Sequence, residues 1–211
     1  MPHLVLLGDS IFDNAPYVAG GPDVIRHLKG KVPDGWQATL RAIDGAITHS
    51  VADQLARVSP DATHLVVSVG GNDALGASHI LSEPALSVGQ AVKLLAGAQE
   101  RFAQNYHAML DNVLARGLPT ALCTIYDTRI VEPDHRVIKT ALGVYNDVIT
   151  RACFARGLPL IDLRLICNED ADYANPIEPS VQGGAKIASA IARLAAGPEA
   201  DWRRSVVVAS G

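Results

Sequence analysis

The sequence predicts an α/β domain built on a parallel sheet. Short apolar runs, each ended by a turn of glycine and polar residues, alternate with longer segments whose apolar residues recur every three to four positions. This alternation of strand and helix is typical of a parallel sheet with helices on both faces. The chain has 211 residues, about the size of one domain, and 48% of them are hydrophobic against 19% charged, which is enough for a large core. We therefore expect a single domain over residues 1–211.

Five segments have the composition of buried strands. The first, residues 4–7, is entirely apolar and stops at Gly8-Asp9-Ser10. The second alternates and ends at Asp44-Gly45, and the third runs straight into Gly70-Gly71-Asn72-Asp73. The predicted strands are residues 4–7, 36–43, 65–69, 120–125 and 160–163.

Helical periodicity separates these strands. Ser50 is a candidate N-cap for the second helix, and Gly117 with Pro119 ends the long third helix, which begins at Ser87. A polar loop of residues 167–184 precedes the last helix. The predicted helices are residues 24–28, 51–58, 87–113, 137–156 and 185–194.

Charge and composition exclude several kinds of partner. Lys and Arg together number 18 against 22 Asp and Glu, a formal net charge of −4, and no basic run forms a phosphate-binding stripe, so we expect no nucleic-acid partner. No stretch approaches the roughly 20 apolar residues of a membrane span. Met1-Pro2-His3 leads directly into the first apolar run without the features of a signal peptide, which predicts a cytoplasmic location. Cys123, Cys153 and Cys167 are an odd set without metal-ligand spacing and are expected to be buried, reduced thiols.

Polar residues follow three of the predicted strands at the point where each strand ends. In an open parallel sheet, ligands bind outside the carboxyl ends of the strands, so these residues share one candidate crevice. Ser10 on a tight turn could act as a nucleophile, while the Gly45 N–H and the Asn72 amide could donate to an oxyanion. The structural alternative is that the glycines serve turns and that Ser10 and Asp73 cap helices.

These motifs resemble those of the SGNH hydrolases, also called GDSL esterases/lipases. Gly8-Asp9-Ser10, Gly45 and Gly70-Gly71-Asn72-Asp73 fall in that family's order and at its approximate spacing, and the resemblance extends almost to Ala192. It implies a flavodoxin-like three-layer α/β/α sandwich around a five-stranded parallel sheet. It also implies that Ser10 is the nucleophile and that the Ser10 N–H, the Gly45 N–H and the Asn72 side chain form the oxyanion hole. No Gly-x-Ser-x-Gly pentapeptide of α/β-hydrolases surrounds Ser10.

The last motif departs from the family pattern. The family has Asp-x-x-His-Pro, whereas this chain has Asn175-Pro176-Ile177-Glu178-Pro179, so Glu178 replaces the histidine and Asn175 the aspartate. Two neighbouring carboxylates would repel each other, whereas an asparagine amide can orient a glutamate. We therefore expect Glu178 to be the general base toward Ser10, with Asn175 orienting it. An ordinary glutamate pKa of ~4.3 predicts a weaker base than histidine and activity that persists into acid.

Three alternatives remain open at this stage. A loop histidine, His135, His49 or His79, could be the base instead of Glu178. The chain could be a catalytically impaired binding protein for an acylated or carbohydrate ligand, or its carboxylates could hydrolyse a glycosidic or phosphate bond without Ser10. The expected partner is a small-molecule ester, with no metal or cofactor, and no pattern defines the acyl chain or an oligomeric state.

Overall fold

Among the described residues, the central sheet has six parallel strands in the order β2-β1-β3-β4-β5-β8. A computed structural model describes residues 1–131 and 133–208. The first five strands along the chain confirm the predicted ones, although β2, β4 and β5 are shorter than expected. The sixth, β8, was not predicted. The sheet strands are β1 His3–Gly8, β2 Gln37–Leu40, β3 His64–Ser68, β4 Thr120–Cys123, β5 Leu160–Ile161 and β8 Val207–Val208.

Helices cover both faces of this sheet. α1 packs against α7 on one face, and α4 packs against α5 on the other, where α2 also lies. The order of the first five strands and the two helical layers are those of a flavodoxin-like sandwich, as predicted. The helices are α1 Val24–Lys29, α2 Val51–Leu55, α3 Gly71–Gly76, α4 Val88–Leu114, α5 Asp134–Ala155, α6 Leu163–Ile166 and α7 Val181–Ala196.

Strand β1 is buried on both sides because its residues alternate between two cores. Leu4 and Leu6 pack into the core under α1 and α7, whereas Val5 and Leu7 pack into the core under α2, α4 and α5. All six β1 residues are buried. The apolar run is therefore explained by two covered faces, and the strand carries Ser10 at its carboxyl end.

A two-stranded antiparallel hairpin, which the sequence did not predict, replaces part of the expected loop at residues 167–184. It consists of β6 Tyr173–Asn175 and β7 Glu178–Pro179. The fully buried carboxylate of Asp172 anchors its base, because it accepts hydrogen bonds from Lys186 and Gln182 of α7 at 2.9 and 3.0 Å. The hairpin thereby brings Glu178 to the edge of the main sheet.

The burial of the three cysteines agrees with the prediction from the sequence. Cys123, Cys153 and Cys167 are buried and unpaired, and burial raises the pKa of both Cys153 and Cys167 to about 12. Within residues 1–131 and 133–208, none of the helices has the length and apolar character needed to cross a bilayer.

Candidate active site

The turn that carries Ser10 depends on a glycine. Gly8 has φ +126°, and a Cβ there would lie 1.7 Å from the backbone oxygen of Ser68. The backbone of β3 approaches this closely because the Asp9 N–H donates to that same oxygen at 3.0 Å. Only glycine fits both the conformation and the space.

The buried side chain of Gln54 completes the end of β1. Its Oε1 accepts from the Gly8 N–H at 2.7 Å, and its Nε2 donates to the Gly8 carbonyl at 2.8 Å. The Gly8 carbonyl also accepts from the Ile43 N–H at 3.0 Å, so both backbone groups of Gly8 are satisfied. Ser10, two residues after Gly8, lies at the wall of a cavity, and only 7% of the Ser10 surface is exposed.

Ser10 and Glu178, separated by 168 residues in the chain, meet at this point. The Ser10 hydroxyl donates to Glu178 Oε1 at 3.1 Å, and Glu178 is 6% exposed. Burial raises the pKa of Glu178 to about 7; the Ser10 hydrogen bond opposes this rise and the nearby charge of Asp44 adds to it. A carboxyl group with this pKa can exchange a proton with the hydroxyl near neutral pH.

Asn175 is not placed as expected. Its side chain is exposed, and its Oδ1 accepts from the Ile177 N–H at 2.9 Å. Asn175 pairs with Glu178 across the hairpin, so its side chain closes the intervening turn instead of orienting the glutamate. Glu178 Oε2 is buried without a hydrogen-bond partner among the described residues, so the Asn175 amide does not hold this carboxylate.

The two other expected oxyanion donors come from neighbouring segments. Asn72 lies in the first turn of α3 and lines the cavity beside Ser10. Its Nδ2 donates one hydrogen to the Ala46 carbonyl at 3.0 Å, which leaves the second amide hydrogen for another acceptor. Gly45 adjoins Ala46, is exposed and has φ +77°. Asn72 and the loop of Gly45 are thus in direct contact.

Asp9 is a buried carboxyl group to which sequence reasoning gave no role. It is 3% exposed and lines the same cavity as Ser10 and Glu178. Its Oδ1 accepts from the Ile11 N–H at 3.1 Å. Burial raises the pKa of Asp9 to about 8, with smaller contributions from the charges of Glu178 and Asp73, while the Ile11 N–H opposes the rise. In the sequence, its position directly before Ser10, at the end of a buried strand, was the feature that could have indicated a buried carboxyl group at the site.

The cavity beside Ser10 has a volume of about 140 Å³ and is mostly apolar. Its walls come from β3, α3, the start of α4, the segment after β4, and α5. The aliphatic and aromatic residues among them include Val69, Leu75, Ile80, Leu95, Ile125, Tyr126, Ile138, Leu142, Tyr145 and Ile177. Such a wall fits the hydrocarbon part of a ligand, while Ser10, Asn72 and Glu178 form its polar edge.

The candidate histidines lie elsewhere. His49 and His79 are exposed and His135 is half-exposed, and none of the three lines the cavity. His79 contacts the Gly76 carbonyl at 3.3 Å instead. Across the described residues, no group of three His, Cys, Asp or Glu side chains is arranged to hold a metal ion.

Solved structures with the same fold include several ester hydrolases. A phospholipase A1 from Streptomyces albidoflavus NA297 superposes with a TM-score of 0.70 at 14% identity, over 92% of this chain and 99% of that one. An extracellular lipase from Streptomyces rimosus gives 0.62 at 17% identity, over 92% and 100% of the two chains. The psychrotrophic esterase EstA from Pseudoalteromonas sp. gives 0.61 at 17% identity, over 89% and 93%. At these identities the similarity establishes the fold.

The family assignment comes from a separate comparison. No curated protein matched the sequence. The model of the GDSL-like lipase/acylhydrolase family, in contrast, matches residues 6–186, a range that includes Ser10, Gly45, Asn72 and Glu178. Because this match covers most of the chain, the protein belongs to the GDSL-like lipase/acylhydrolase family.

Proposed function

We propose that the protein hydrolyses carboxylic esters through an acyl-enzyme on Ser10, with Glu178 as the general base. The observation that carries this proposal is the 3.1 Å hydrogen bond from the Ser10 hydroxyl to Glu178 Oε1. A nucleophile bonded to a buried proton acceptor is the arrangement that nucleophilic catalysis requires. Family membership supports an ester or acyl substrate.

The reaction divides into two proton-balanced steps. Ser10 Oγ attacks the carbonyl carbon while its proton passes to Glu178, and the protonated Glu178 then gives that proton to the departing alkoxide. Water repeats the sequence at the acyl-enzyme: it loses a proton to Glu178, its oxygen bonds to the acyl carbon, and Ser10 leaves with the proton returned. The Ser10 N–H, the Gly45 N–H and the free hydrogen of the Asn72 amide would donate to the oxyanion in both halves.

The pKa of the base changes the expected pH dependence. The prediction that activity persists into acid assumed the pKa of an ordinary glutamate. Burial instead raises the pKa of Glu178 to about 7. The group must be deprotonated to act as a base, so kcat/KM should rise with pH and level off above about pH 7. Burial thus gives this glutamate a pKa close to the usual histidine value of ~6.5.

The cavity defines the acyl side of the proposed substrate. An apolar protein cavity of about 150 Å³ accommodates benzene, and the cavity beside Ser10 measures about 140 Å³. A short aliphatic or aromatic acyl group therefore fits with its carbonyl at Ser10. Asn175 serves the hairpin turn in this mechanism and does not act on the proton.

The test is hydrolysis of p-nitrophenyl acetate against pH for wild type, Ser10→Ala and Glu178→Gln, with Glu83→Gln as a control for loss of an exposed carboxylate. We expect Ser10→Ala to reach background, Glu178→Gln to lose about 10²- to 10⁴-fold, and the control to behave as wild type. A wild type that neither turns over nor forms a fluorophosphonate adduct at Ser10 would favour a binding protein. Turnover that survives Ser10→Ala would indicate carboxylate-assisted hydrolysis.

A further inference from the structure

Hydrogen bonds of two residues of α3, Asp73 and Asn72, join this helix to the loop that contains Gly45. The Thr48 N–H donates to Asp73 Oδ2 at 3.0 Å, and the Thr48 hydroxyl donates to Asp73 Oδ1 at 2.7 Å. Thr48 is buried, at 1% exposure, and Asp73 is half-buried. A third bond runs in parallel, from Asn72 Nδ2 to the Ala46 carbonyl at 3.0 Å.

The two proposed donors, Gly45 and Asn72, therefore belong to segments that are joined immediately beside them. Asn72 directly precedes Asp73, and Gly45 lies three residues before Thr48. Gly45 is exposed, and a Cβ at its position would meet nothing within 4 Å, so packing does not hold it in place. Exposed loop backbone of this kind is mobile unless hydrogen bonds restrain it.

The carboxylate is suited to this restraint. Both of its oxygens accept from the same residue, and hydrogen bonds to an ionised acceptor are shorter and about twice as strong as neutral ones. Asp73 itself does not line the cavity. With both oxygens engaged by Thr48 and no contact with the cavity, it has no part in proton transfer to a substrate.

We propose that Asp73 and Thr48 are positioning residues that set the spacing between the Gly45 N–H and the Asn72 amide. This inference rests on the proposed ester hydrolysis, because it concerns the oxyanion hole of that reaction. Oxyanion donors act at 2.7–3.1 Å from the developing charge, and a misplacement of about 1 Å costs about 10²-fold in rate. Because Gly45 itself has no packing contacts, its N–H meets that tolerance only if hydrogen bonds of its neighbours restrain it.

The experiment compares kcat and KM for Asp73→Asn, Thr48→Val, Thr48→Ser and the double variant Asp73→Asn/Thr48→Val, on p-nitrophenyl acetate. Asparagine keeps one acceptor oxygen and turns an NH₂ toward Thr48, whereas valine removes only the hydroxyl. Asp53→Asn is the matched control, since Asp53 is an exposed aspartate in the first turn of α2. Melting temperatures identify any variant that fails to fold.

The expected result is a loss in kcat without a loss in substrate binding. Asp73→Asn should lower kcat about 10²-fold and Thr48→Val about 10-fold, with KM within about twofold. Thr48→Ser should restore nearly the wild-type kcat, and the double variant should resemble Asp73→Asn because the two residues act as one unit. The pH midpoint of kcat/KM should not move, since neither Asp73 nor Thr48 contacts Glu178. These results together support the proposal.

Several outcomes would overturn it. Unchanged kcat in folded Asp73→Asn and Thr48→Val, additive losses in the double variant, or an equal loss in Asp53→Asn would each refute the positioning role while leaving ester hydrolysis intact. A wild type without turnover and without a fluorophosphonate adduct would refute ester hydrolysis itself, and the positioning role with it. The wild-type measurement therefore separates the two failures.

Discussion

Replacing Glu178 by glutamine should make the protein more stable above neutral pH while removing its proposed base. Glu178 is 6% exposed, its Oε2 has no described partner, and burial raises its pKa from 4.5 to about 7. Glutamine keeps the shape and an acceptor oxygen for the Ser10 hydroxyl, but it carries no charge to desolvate. The glutamine NH₂ meets no described acceptor at the position of Oε2, which costs about 1–3 kcal/mol at every pH, so the cost of the ionised carboxyl group is read from the pH dependence of the difference.

The sign of the effect follows from proton binding. Because the folded-state pKa is raised, the native protein binds more protons than the unfolded chain between about pH 4.5 and pH 7, and its stability falls as pH rises through that window. Each pKa unit corresponds to about 1.4 kcal/mol, so the loss reaches about 3 kcal/mol above pH 7. Below pH 4.5 both states hold the proton, and glutamine resembles the protonated glutamate.

Urea unfolding of wild type and Glu178→Gln at about pH 4, 6 and 8 measures this difference, with Glu83→Gln as the exposed control. The gain in unfolding free energy of Glu178→Gln over wild type should be about 3 kcal/mol larger at pH 8 than at pH 4. A gain that does not change with pH, or one that Glu83→Gln reproduces, would refute the argument that burial raises this pKa.

Two further substitutions, the first compared with a matched control, test the scaffold of the site by thermal and urea unfolding. Gly183→Ala should destabilise the protein by about 1–3 kcal/mol, since a Cβ there would lie 2.1 Å from the Asp172 carbonyl oxygen. Its control is Gly143→Ala on the exposed face of α5, where a Cβ meets nothing within 4 Å, and this substitution should stabilise the protein by about 1 kcal/mol. Equal effects of the two substitutions would contradict this reasoning. Gln54→Leu should cost about 1–3 kcal/mol for the Gly8 N–H that it leaves unpaired, while the Gly8 carbonyl keeps its bond from the Ile43 N–H; a neutral result would show that water replaces the side chain.

The first five strands of the main sheet could be predicted because their segments are long or apolar enough to give a local signal. β1 is buried on both faces, so its sequence is an uninterrupted apolar run, and the turn after it is marked by Gly8. The same logic located Asn72 after β3 and Gly45 after β2. In a parallel sheet the carboxyl ends of strands share one edge, so the sequence alone predicts that these positions converge.

Features set by tertiary contacts could not be predicted in this way. β7 and β8 have two residues each, too few for any periodicity, and both exist because a neighbouring segment pairs with them. The role expected of Asn175 required knowledge of that hairpin, whose turn its side chain closes. The raised pKa of Asp9 likewise depends on burial and on charges from distant parts of the chain.

The energetics of the two buried carboxyl groups bear on whether the site catalyses or only binds. Asp9 and Glu178 both have raised pKa values, so both reduce stability near neutral pH, and both lie at the cavity beside Ser10. A pocket that merely held an apolar ligand would gain stability from a neutral residue at position 178, whereas general-base catalysis requires an ionisable group with a pKa near the working pH. The substitution Glu178→Gln therefore distinguishes the two functions by its pair of effects. In a catalyst it stabilises the fold above neutral pH and lowers turnover about 10²- to 10⁴-fold, and in a binding protein it gives the same stabilisation with no loss of function.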